Sequence, residues 1–599
     1  MANKELKTRD QIPQEYKWKI EAMYPDEALW DEDVKTALAM SQDFTKLSGH
    51  LTDSPQDLAK AFALRDKIYQ KVEKAYVYAK MRQDEDNRVA KYQEMIGKIS
   101  AALAHISANT SFFVPEILNE DAETLRSYVK AEAGLKSYSF AIESLILEAK
   151  HVLSKEEENI LAQMSETSGA SNEIFTMLNN AEMDFGTIID EDGDQVKLTH
   201  GNYINFMESK DRRVRKDAFE AMYKAYKKLI NTIGTTYAYS VKTEVVSARI
   251  RKYKSARNAA LASDNIPDEV YDNLVSVVNE YLPVLHRYIN LRKKLLKLDE
   301  LKMYDVYTPL FENPVKEISF DEGIEMVKKA LEPMGEEYVN RLSEGVKAGW
   351  IDIYENEGKT SGAYSFGSYD SMPYVLLNYT DTLQDVFTII HELGHSMHSS
   401  YTRENQPYIY GDHSIFTAEV ASTVNESLLM RYLLDKETNK EARKYLLNHY
   451  LEEFRTTLFR QTMFAEFEDL THKEIENGGA LTAQWMNEKY YELNKKYFGE
   501  AMADDEYIQY EWARIPHFYR GFYVYQYATG FSAATAISKK ILSEGEPAVQ
   551  AYKEFLKTGS SNYPVELLKI AGVDMGKPEP IRQAMETFKT YLEELEDLI

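Results

Sequence analysis

The sequence contains no cysteine, which excludes disulfide bonds, thiolate nucleophiles and cysteine-based metal sites. Any bound metal ion must therefore be held by histidine, aspartate or glutamate. Proline and glycine are also scarce, with 16 and 26 residues in a chain of 599, and most of the chain has helical rather than alternating periodicity. We therefore predict a mainly α-helical fold built from many helices.

Long apolar runs are missing as well. The charged N-terminal segment has no stretch that could serve as the core of a signal peptide, and no later segment approaches the roughly 20 apolar residues of a membrane span. Basic residues are outnumbered, 71 against 97 acidic residues, and they form no stripe that could follow a phosphate backbone. We therefore expect a cytoplasmic protein that binds neither membranes nor nucleic acid, and we make no prediction of its oligomeric state.

The chain is long enough for two or more packed subdomains. A helix is predicted to begin at Ser54-Pro55, a favourable N-cap and first helical position. Residues 187 to 199 predict a short β-hairpin that turns at Asp192-Gly193. We place a boundary after this hairpin, which divides the chain into a helical region, 1–199, and a second region, 200–599, that contains the motifs described below.

The pentapeptide HELGH follows a short predicted strand and lies within a predicted helix, because Thr382 and Asp385 form a capping pair ahead of it. Residues four apart lie on one helical face, so His391 and His395 can bind one ion, with Glu392 beside them near a coordinated water. Zinc lowers the pKa of such a water to about 7, and a neighbouring carboxylate can take its proton. The motif predicts one Zn²⁺ per chain with Glu392 as general base.

A catalytic zinc ion needs a third protein ligand and one open position. The extended pattern with a third histidine in the same segment requires glycine at 398 and histidine at 401, whereas the chain has His398 and Tyr401. We interpret His398 as a packing or substrate-binding residue, since a fourth protein ligand would crowd the water position. Glu419 and Glu426, seven residues apart on the next predicted helix, are better candidates.

Glu419 and Glu426 belong to a helix whose core-facing row is Val420, Val424 and Leu428. One glutamate can be a ligand and the other the partner of a ligating histidine, and we choose Glu419 as the ligand. The spacing alone also permits the reverse assignment or a position on the helix surface.

A second cluster lies far downstream, in a segment rich in tyrosine. Tyr523 and Tyr527 are four apart and are predicted to share a helical face, whereas Tyr525 points elsewhere. Together with His517 they could donate hydrogen bonds to a developing oxyanion, because a phenol is a donor without a competing charge. The alternative is that these rings pack in the core as buried, hydrogen-bonded side chains.

Three segments together resemble the oligoendopeptidase F branch of the thimet-oligopeptidase-like zinc metallopeptidases. They read SYDSMPYVLLNYTDTLQDVFTIIHELGHSMHS, FTAEVASTVNESLL and IPHFYRGFYVYQYATG. The resemblance implies a mainly helical fold with a deep substrate channel and a small β element next to the zinc helix, with Glu419 as the third ligand. It also implies that the strand at Tyr374, Val375 and Leu376 binds the peptide backbone by strand addition. The spacing between His517 and the tyrosines differs by one residue from that in the thimet relatives.

These features predict a zinc endopeptidase that hydrolyses internal bonds of oligopeptides. Two alternatives remain open. The first is an aminopeptidase or carboxypeptidase with the same zinc core, and the second is a helical binding protein without catalytic activity.

Overall fold

A computed structural model describes residues 6–313 and 317–599 of the chain. Its compact units do not follow the boundary placed near residue 200. One unit comprises Met1–Lys150, Val315–Tyr432 and Ile537–Val573, and the other comprises His151–Pro314, Leu433–Ala536 and Asp574–Ile599. Each unit is therefore assembled from three separate stretches of the chain. Within the described ranges, no helix is both long enough and apolar enough to cross a membrane.

Helices dominate the described residues, as predicted. In chain order the α-helices are α1 (Glu27–Phe44), α2 (Pro55–Glu85), α3 (Ala90–Thr110), α4 (Phe113–Ile117), α5 (Ala122–Ala131), α6 (Ser139–Ala149), α7 (Lys155–Ser168), α8 (Ala170–Met177), α9 (His200–Met207), α10 (Arg212–Ile250), α11 (Ala256–Ala262), α12 (Asp268–Glu280), α13 (Leu282–Leu295), α14 (Phe320–Ala330), α15 (Glu336–Ala348), α16 (Leu383–Asn405), α17 (Ile415–Lys436), α18 (Lys440–Glu453), α19 (Arg460–Glu476), α20 (Ala483–Phe498), α21 (Tyr525–Glu544), α22 (Glu546–Leu556), α23 (Pro564–Ile570) and α24 (Glu579–Leu598).

Among the described residues, five short strands form two sheets. The predicted hairpin is present as β1 (Thr187–Ile189) and β2 (Gln195–Lys197), which pair antiparallel. The second sheet contains β3 (Ile351–Asp352), β4 (Tyr364–Phe366) and β5 (Tyr374–Leu376) in the order β3-β5-β4. Strand β5 is parallel to β3 and antiparallel to β4.

The first unit packs helices α1, α2 and α3 around one core. Helix α2 begins as predicted, because the hydroxyl of Ser54 accepts a hydrogen bond from the N–H of Asp57 at 3.2 Å. Leu58 and Phe62 on its apolar face are buried, and Tyr374 of β5 joins the same core. The sheet and α16 also contact each other within this unit. The N-terminal helices are therefore part of the scaffold that supports the HELGH helix.

The N-terminal segment also holds the three-stranded sheet. The N–H of Lys19 donates to the carbonyl of Gly349 (2.9 Å), and the N–H of Ile353 donates to the carbonyl of Tyr16 (3.0 Å). Asp352 is 1% exposed and pairs with both Arg9 and Lys359. A carboxylate this deeply buried is tolerated because two cations compensate its charge.

In the second unit, the 39-residue helix α10 packs against α8, α9, α19 and α20. The interior of this unit contains a buried network of charges as well as apolar side chains. Glu452 pairs with Arg455 (2.6 Å) and Arg292 (3.0 Å), and Arg460 pairs with Glu511 (2.7 Å). Each of these charges has an oppositely charged neighbour, which offsets the cost of its burial.

Candidate metal centre

The start of α16 follows the predicted capping pair. The hydroxyl of Thr382 accepts a hydrogen bond from the N–H of Asp385 (3.2 Å), and the Asp385 carboxylate accepts one from the N–H of Thr382 (2.9 Å). This capping box fixes the first turn of the helix. His391 and His395 follow on one face, with their Nε2 atoms 3.2 Å apart.

Glu419 on α17 completes a group of three possible metal ligands. Its Oε2 atom lies 3.5 Å from Nε2 of His391 and 3.7 Å from Nε2 of His395. Ligand atoms bound at zinc distances in a tetrahedral site are roughly 3.4 Å from one another, close to all three separations. Among the described residues, no other group of three such side chains converges in this way. The donor set therefore fits one metal ion.

Gly394 allows α16 and α17 to approach each other at this point. A Cβ atom on Gly394 would lie 2.6 Å from Cα of Ser422 and 2.7 Å from the backbone oxygen of Ala421. Backbone atoms cannot move aside as a flexible side chain can, so any side chain here would separate the helices. No role was predicted for Gly394 from the sequence. Its position between the two histidines is the feature of the sequence that could have indicated this role.

Neighbouring groups orient both histidine rings. Oε1 of Glu426 lies 3.1 Å from Nδ1 of His391, which directs Nε2 toward the ligand group. A backbone hydrogen bond links His395 to Ala418. The structure thus places Glu419 next to the Nε2 atoms of both histidines and Glu426 next to Nδ1 of His391.

Asn425 is a further residue of the site that was not predicted from the sequence. It is fully buried, its Nδ2 donates to the carbonyl of Ile390 at 3.4 Å, and its Oδ1 accepts from the hydroxyl of Tyr338 at 3.1 Å. Asn425 therefore ties α17 to α16 one residue before His391. In the sequence, an asparagine between the two glutamates only weakly indicates a role at the site. Its function becomes clear from its contacts in the structure.

Burial and neighbouring charges separate the pKa values of the site. Burial lowers the pKa of His395 to about 3, so its ring is neutral and can give a lone pair to a metal ion. Burial also lowers the pKa of His391, but Glu426, Glu392 and Glu419 outweigh this effect and raise it to about 9. Burial raises the pKa of Glu392 to about 7 against the opposing effect of His391.

Glu392 also contacts the sheet. Its side chain is 8% exposed, and a hydrogen bond from the backbone of Ser365 in β4 lowers the pKa of its carboxyl group. The hydroxyl of Ser396 donates to the carbonyl of Glu392 (3.0 Å) and lies 2.8 Å from the hydroxyl of Ser365. Strand β4 is thereby attached to α16 next to the glutamate of the motif.

The prediction that Tyr374, Val375 and Leu376 bind a peptide by strand addition is wrong. All three are fully buried in β5, which is paired on both sides, whereas strand addition needs a free edge. In the described part of this sheet, β4 has such an edge. The N–H of Val375 donates to the carbonyl of Trp350 (2.8 Å), so its partner Ser365 directs its own N–H and C=O away from β5.

The structure also corrects the prediction that His398 binds substrate. His398 is 1% exposed, and its ring stacks on that of His413 with centroids 3.7 Å apart. The ring of Phe555 also packs against it, with a centroid distance of 5.4 Å. His398 is therefore a packing residue, the other role considered for it.

In the second unit, His517, Tyr523 and Tyr527 form a cluster of rings. The centroid of His517 lies 5.9 Å from that of Tyr523 and 6.1 Å from that of Tyr527. The two tyrosine hydroxyls are 3.4 Å apart. Tyr523 lies just before α21, which begins at Tyr525, so the rings of Tyr523 and Tyr527 meet although only Tyr527 lies within the helix. Tyr525 is buried against Tyr271, away from the cluster, as predicted.

Comparison with known proteins gives matches over nearly the whole chain. The family model described as Peptidase family M3 matches residues 205–587, and the model described as Oligopeptidase F matches residues 116–185. Among solved structures, oligoendopeptidase-F from Enterococcus faecium has a TM-score of 0.76 and 39% sequence identity, covering 96% of this chain and 99% of that chain.

Two curated relatives are similar over most of their length. Oligopeptidase PepF of Bacillus subtilis is 48% identical over 595 residues, which cover 99% of this chain and 89% of the relative. Group B oligopeptidase PepB of Streptococcus agalactiae is 44% identical over 591 residues, covering 99% of this chain and 98% of the relative.

Proposed function

Since this chain belongs to peptidase family M3 and is an oligopeptide-cleaving metalloendopeptidase, we propose that its metal is one zinc ion held by His391, His395 and Glu419. The observation that carries the proposal is the convergence of three ligand atoms, 3.2 to 3.7 Å apart, beside a buried glutamate. When bound, zinc would polarise the scissile carbonyl and lower the pKa of a water molecule.

Glu392 is the proposed general base. It takes a proton from the attacking water and returns it to the leaving amine, so that the amine departs in a neutral form. Its burial and its contact with Ser365 hold the carboxylate at the boundary between α16 and β4. Glu426 keeps the ring of His391 in one orientation while this happens.

Strand β4 is the proposed binding site for the peptide backbone. The N–H and C=O of Ser365 are the pair on this strand that points to the free edge, and the same N–H faces Glu392. A peptide paired with this edge would therefore present its backbone next to the general base. Recognition of the backbone rather than of side chains permits broad specificity among oligopeptides.

We retain His517, Tyr523 and Tyr527 as proposed donors to the oxyanion, because a phenol donates a hydrogen bond without a competing charge. Their hydroxyl and ring N–H groups lie within one cluster of the second unit. Tyr527→Phe removes one donor with almost no change in shape, so a fall in kcat with unchanged metal content would support this role. Unchanged kcat would remove Tyr527 from the mechanism.

The proposal is tested with an internally quenched oligopeptide blocked at both termini. Wild type should cut it, a chelator should abolish cleavage, and zinc should restore it. Glu392→Gln should keep one zinc ion per chain and lose about 10²- to 10⁴-fold in kcat. Glu404→Gln is the matched control, because Glu404 lies on the same helix at the surface and pairs with Arg341.

The outcomes separate the alternatives. Cleavage of the blocked peptide excludes an enzyme that acts only on peptide ends. Restoration by manganese or cobalt but not by zinc would overturn the identity of the metal. Full activity of Glu392→Gln would overturn its role as general base.

A further inference from the structure

A cavity of about 700 Å³ lies within the first unit and reaches the metal centre. His395, Ser399 and Arg403, spaced four residues apart on α16, form one of its walls. Helix α2 supplies another wall, which includes Arg65 and Glu73. One end of the cavity is therefore His395, a proposed zinc ligand, and the charged side chains along the rest are Arg65, Asp66, Glu73, Arg403 and Asp412.

Arg403 is a half-buried cation whose hydrogen-bond donors are only partly paired. Its Nη2 donates to the carbonyl of Gly367 at 3.1 Å, but its buried Nε and Nη1 atoms have no hydrogen-bond partner among the described residues. Burial lowers the pKa of Arg403, and the charges of Glu73 and Asp412 only partly oppose this. In Arg460, also half-buried, close contact with Glu511 raises the pKa instead. Buried donors without hydrogen-bond partners destabilise a protein, so a binding role for Arg403 would explain why they are present.

The acidic groups of the cavity, in contrast, have donors. Glu73 accepts hydrogen bonds from the N–H of Tyr369 (3.2 Å) and from the hydroxyl of Tyr408. Asp66 accepts from the hydroxyl of Tyr138 at 2.9 Å. These carboxylates are satisfied by neutral donors and leave the guanidinium groups without full ion pairs.

The two remaining charged side chains of the cavity wall are Asp412 and Arg65. Asp412 is exposed and accepts from the N–H of His413 at 2.8 Å. Arg65 stacks over Tyr69 and Phe113, with its guanidinium carbon 4.8 and 5.1 Å from their ring centroids, and forms no ion pair with any described residue. The cavity thus holds two guanidinium groups without close ion pairs, beside three carboxylates whose hydrogen bonds come from neutral donors.

We propose that this cavity is a substrate subsite in which Arg403, assisted by Arg65, binds a carboxylate of the peptide. The inference rests on the proposed peptidase function and adds a specificity that backbone recognition alone does not supply. The proposal requires the Arg403 side chain to rotate, so that its unmet N–H groups face the cavity and a carboxylate can accept two hydrogen bonds from one guanidinium.

The helix sets the distance of this carboxylate from the scissile bond. Arg403 lies eight residues after His395, or roughly 12 Å along the helix axis at 1.5 Å per residue. An extended peptide spans about 3.3–3.6 Å per residue. The carboxylate should therefore belong to the third or fourth residue from the cleaved bond.

The direction of the bound peptide decides which carboxylate this is. Strand β4 runs toward Gly367, which lines the cavity. A peptide antiparallel to β4 places residues on the N-terminal side of the cleaved bond here, and the carboxylate is then an acidic side chain. A peptide parallel to β4 places its C-terminal side here, and a free C-terminal carboxylate can also bind.

The test compares matched peptides that differ in one carboxylate. One set carries glutamate or glutamine at the third or fourth position on either side of a single cleaved bond, with both termini blocked. A second set ends in a free acid or an amide at those distances. For one of these pairs, wild type should prefer the acid by tenfold or more in kcat/KM, mainly through KM. In Arg403→Gln this ratio should fall to near one, and Arg403→Lys should restore part of it.

Binding supplies an independent reading. The same pairs are titrated calorimetrically into Glu392→Gln, which should bind the acid form more tightly than the amide form. Equal kcat/KM and equal affinity for every pair in wild type would overturn the subsite, even if the blocked peptides are cut. An acid preference that survives in Arg403→Gln would overturn the assignment to Arg403. Failure to cut any blocked peptide would count against the proposed function, whereas the calorimetric comparison still tests the subsite.

Discussion

Nδ1 of His391 and Oε1 of Glu426 lie 3.1 Å apart, so the ring that offers Nε2 to the metal is held from behind by a carboxylate. Such partners fix the orientation of a ligating imidazole and increase its basicity. We predict that Glu426→Ala weakens zinc binding by about 10- to 100-fold and that Glu426→Gln has a smaller effect, because glutamine keeps an acceptor. Competition with a chromophoric chelator measures this. An affinity unchanged within twofold in Glu426→Ala would contradict the role.

The close approach at Gly394 predicts that one methyl group disrupts the metal centre. Gly394→Ala should destabilise the protein by about 1–3 kcal/mol, because backbone atoms of α17 occupy the space for its Cβ. It should also lower zinc content, since Glu419 is displaced from the histidines. Thermal unfolding and metal analysis test both effects.

Gly97 is the matched control for this substitution. It is exposed in the middle of α3, and a Cβ added there would meet no atom of the described residues within 4 Å. Gly97→Ala should therefore be neutral or stabilise the protein by about 0.5–1 kcal/mol. If both variants bind zinc like wild type, the packing at Gly394 does not control the site.

The local features of the site could be predicted because they depend on short stretches of sequence. The capping pair at Thr382 and Asp385 and the spacing of the two histidines act within one helix, and both are present in the structure. The row of Val420, Val424 and Leu428 is buried as its periodicity predicts. Helical periodicity thus predicted that Glu419 and Glu426 lie on one face of α17.

The order of the sheet could not be predicted in the same way. The apolar run at Tyr374 is typical of a strand buried on both faces, but nothing within the run reveals that β3 and β4 occupy both its edges. The edge strand around Ser365 is only three residues long, and its pairing depends on segments elsewhere in the chain. The wall formed by α2 is likewise a tertiary feature, because Arg65 is more than 300 residues from Arg403.

The free edge of β4 predicts a specific effect of proline. Ser365→Pro removes the N–H that points to this edge, and an edge strand tolerates proline where its N–H faces away from the sheet. Ser365→Ala keeps the N–H but loses the hydroxyl contact with Ser396, so it isolates the backbone effect. Because this N–H also donates to the carboxylate of Glu392, Ser365→Pro removes both contacts, and we expect kcat/KM for a blocked peptide to be at least about tenfold lower than in Ser365→Ala. Equal values with equal zinc content would exclude β4 as the binding edge.

The buried charges of the second unit predict how stability depends on pH. Burial raises the pKa of Glu452, but Arg455 and Arg292 outweigh this effect and lower it to about 2. The corresponding value in an unfolded chain is about 4.3. Because the folded protein has the lower pKa, the contribution of Glu452 to stability is complete above about pH 4.3 and is lost as the pH falls toward 2.

Glu452→Gln should therefore be less stable than wild type at pH 7 by on the order of 2–3 kcal/mol, since two arginines lose their carboxylate partner. The difference should shrink steadily between pH 4 and pH 2, because wild type loses the same charge by protonation. Urea unfolding of both proteins across this range measures the change. Glu488→Gln is the control, as Glu488 is exposed on α20 and accepts a hydrogen bond from Gln484. A destabilisation by Glu452→Gln that is equally large at pH 7 and pH 2 would show that shape rather than charge makes this residue important.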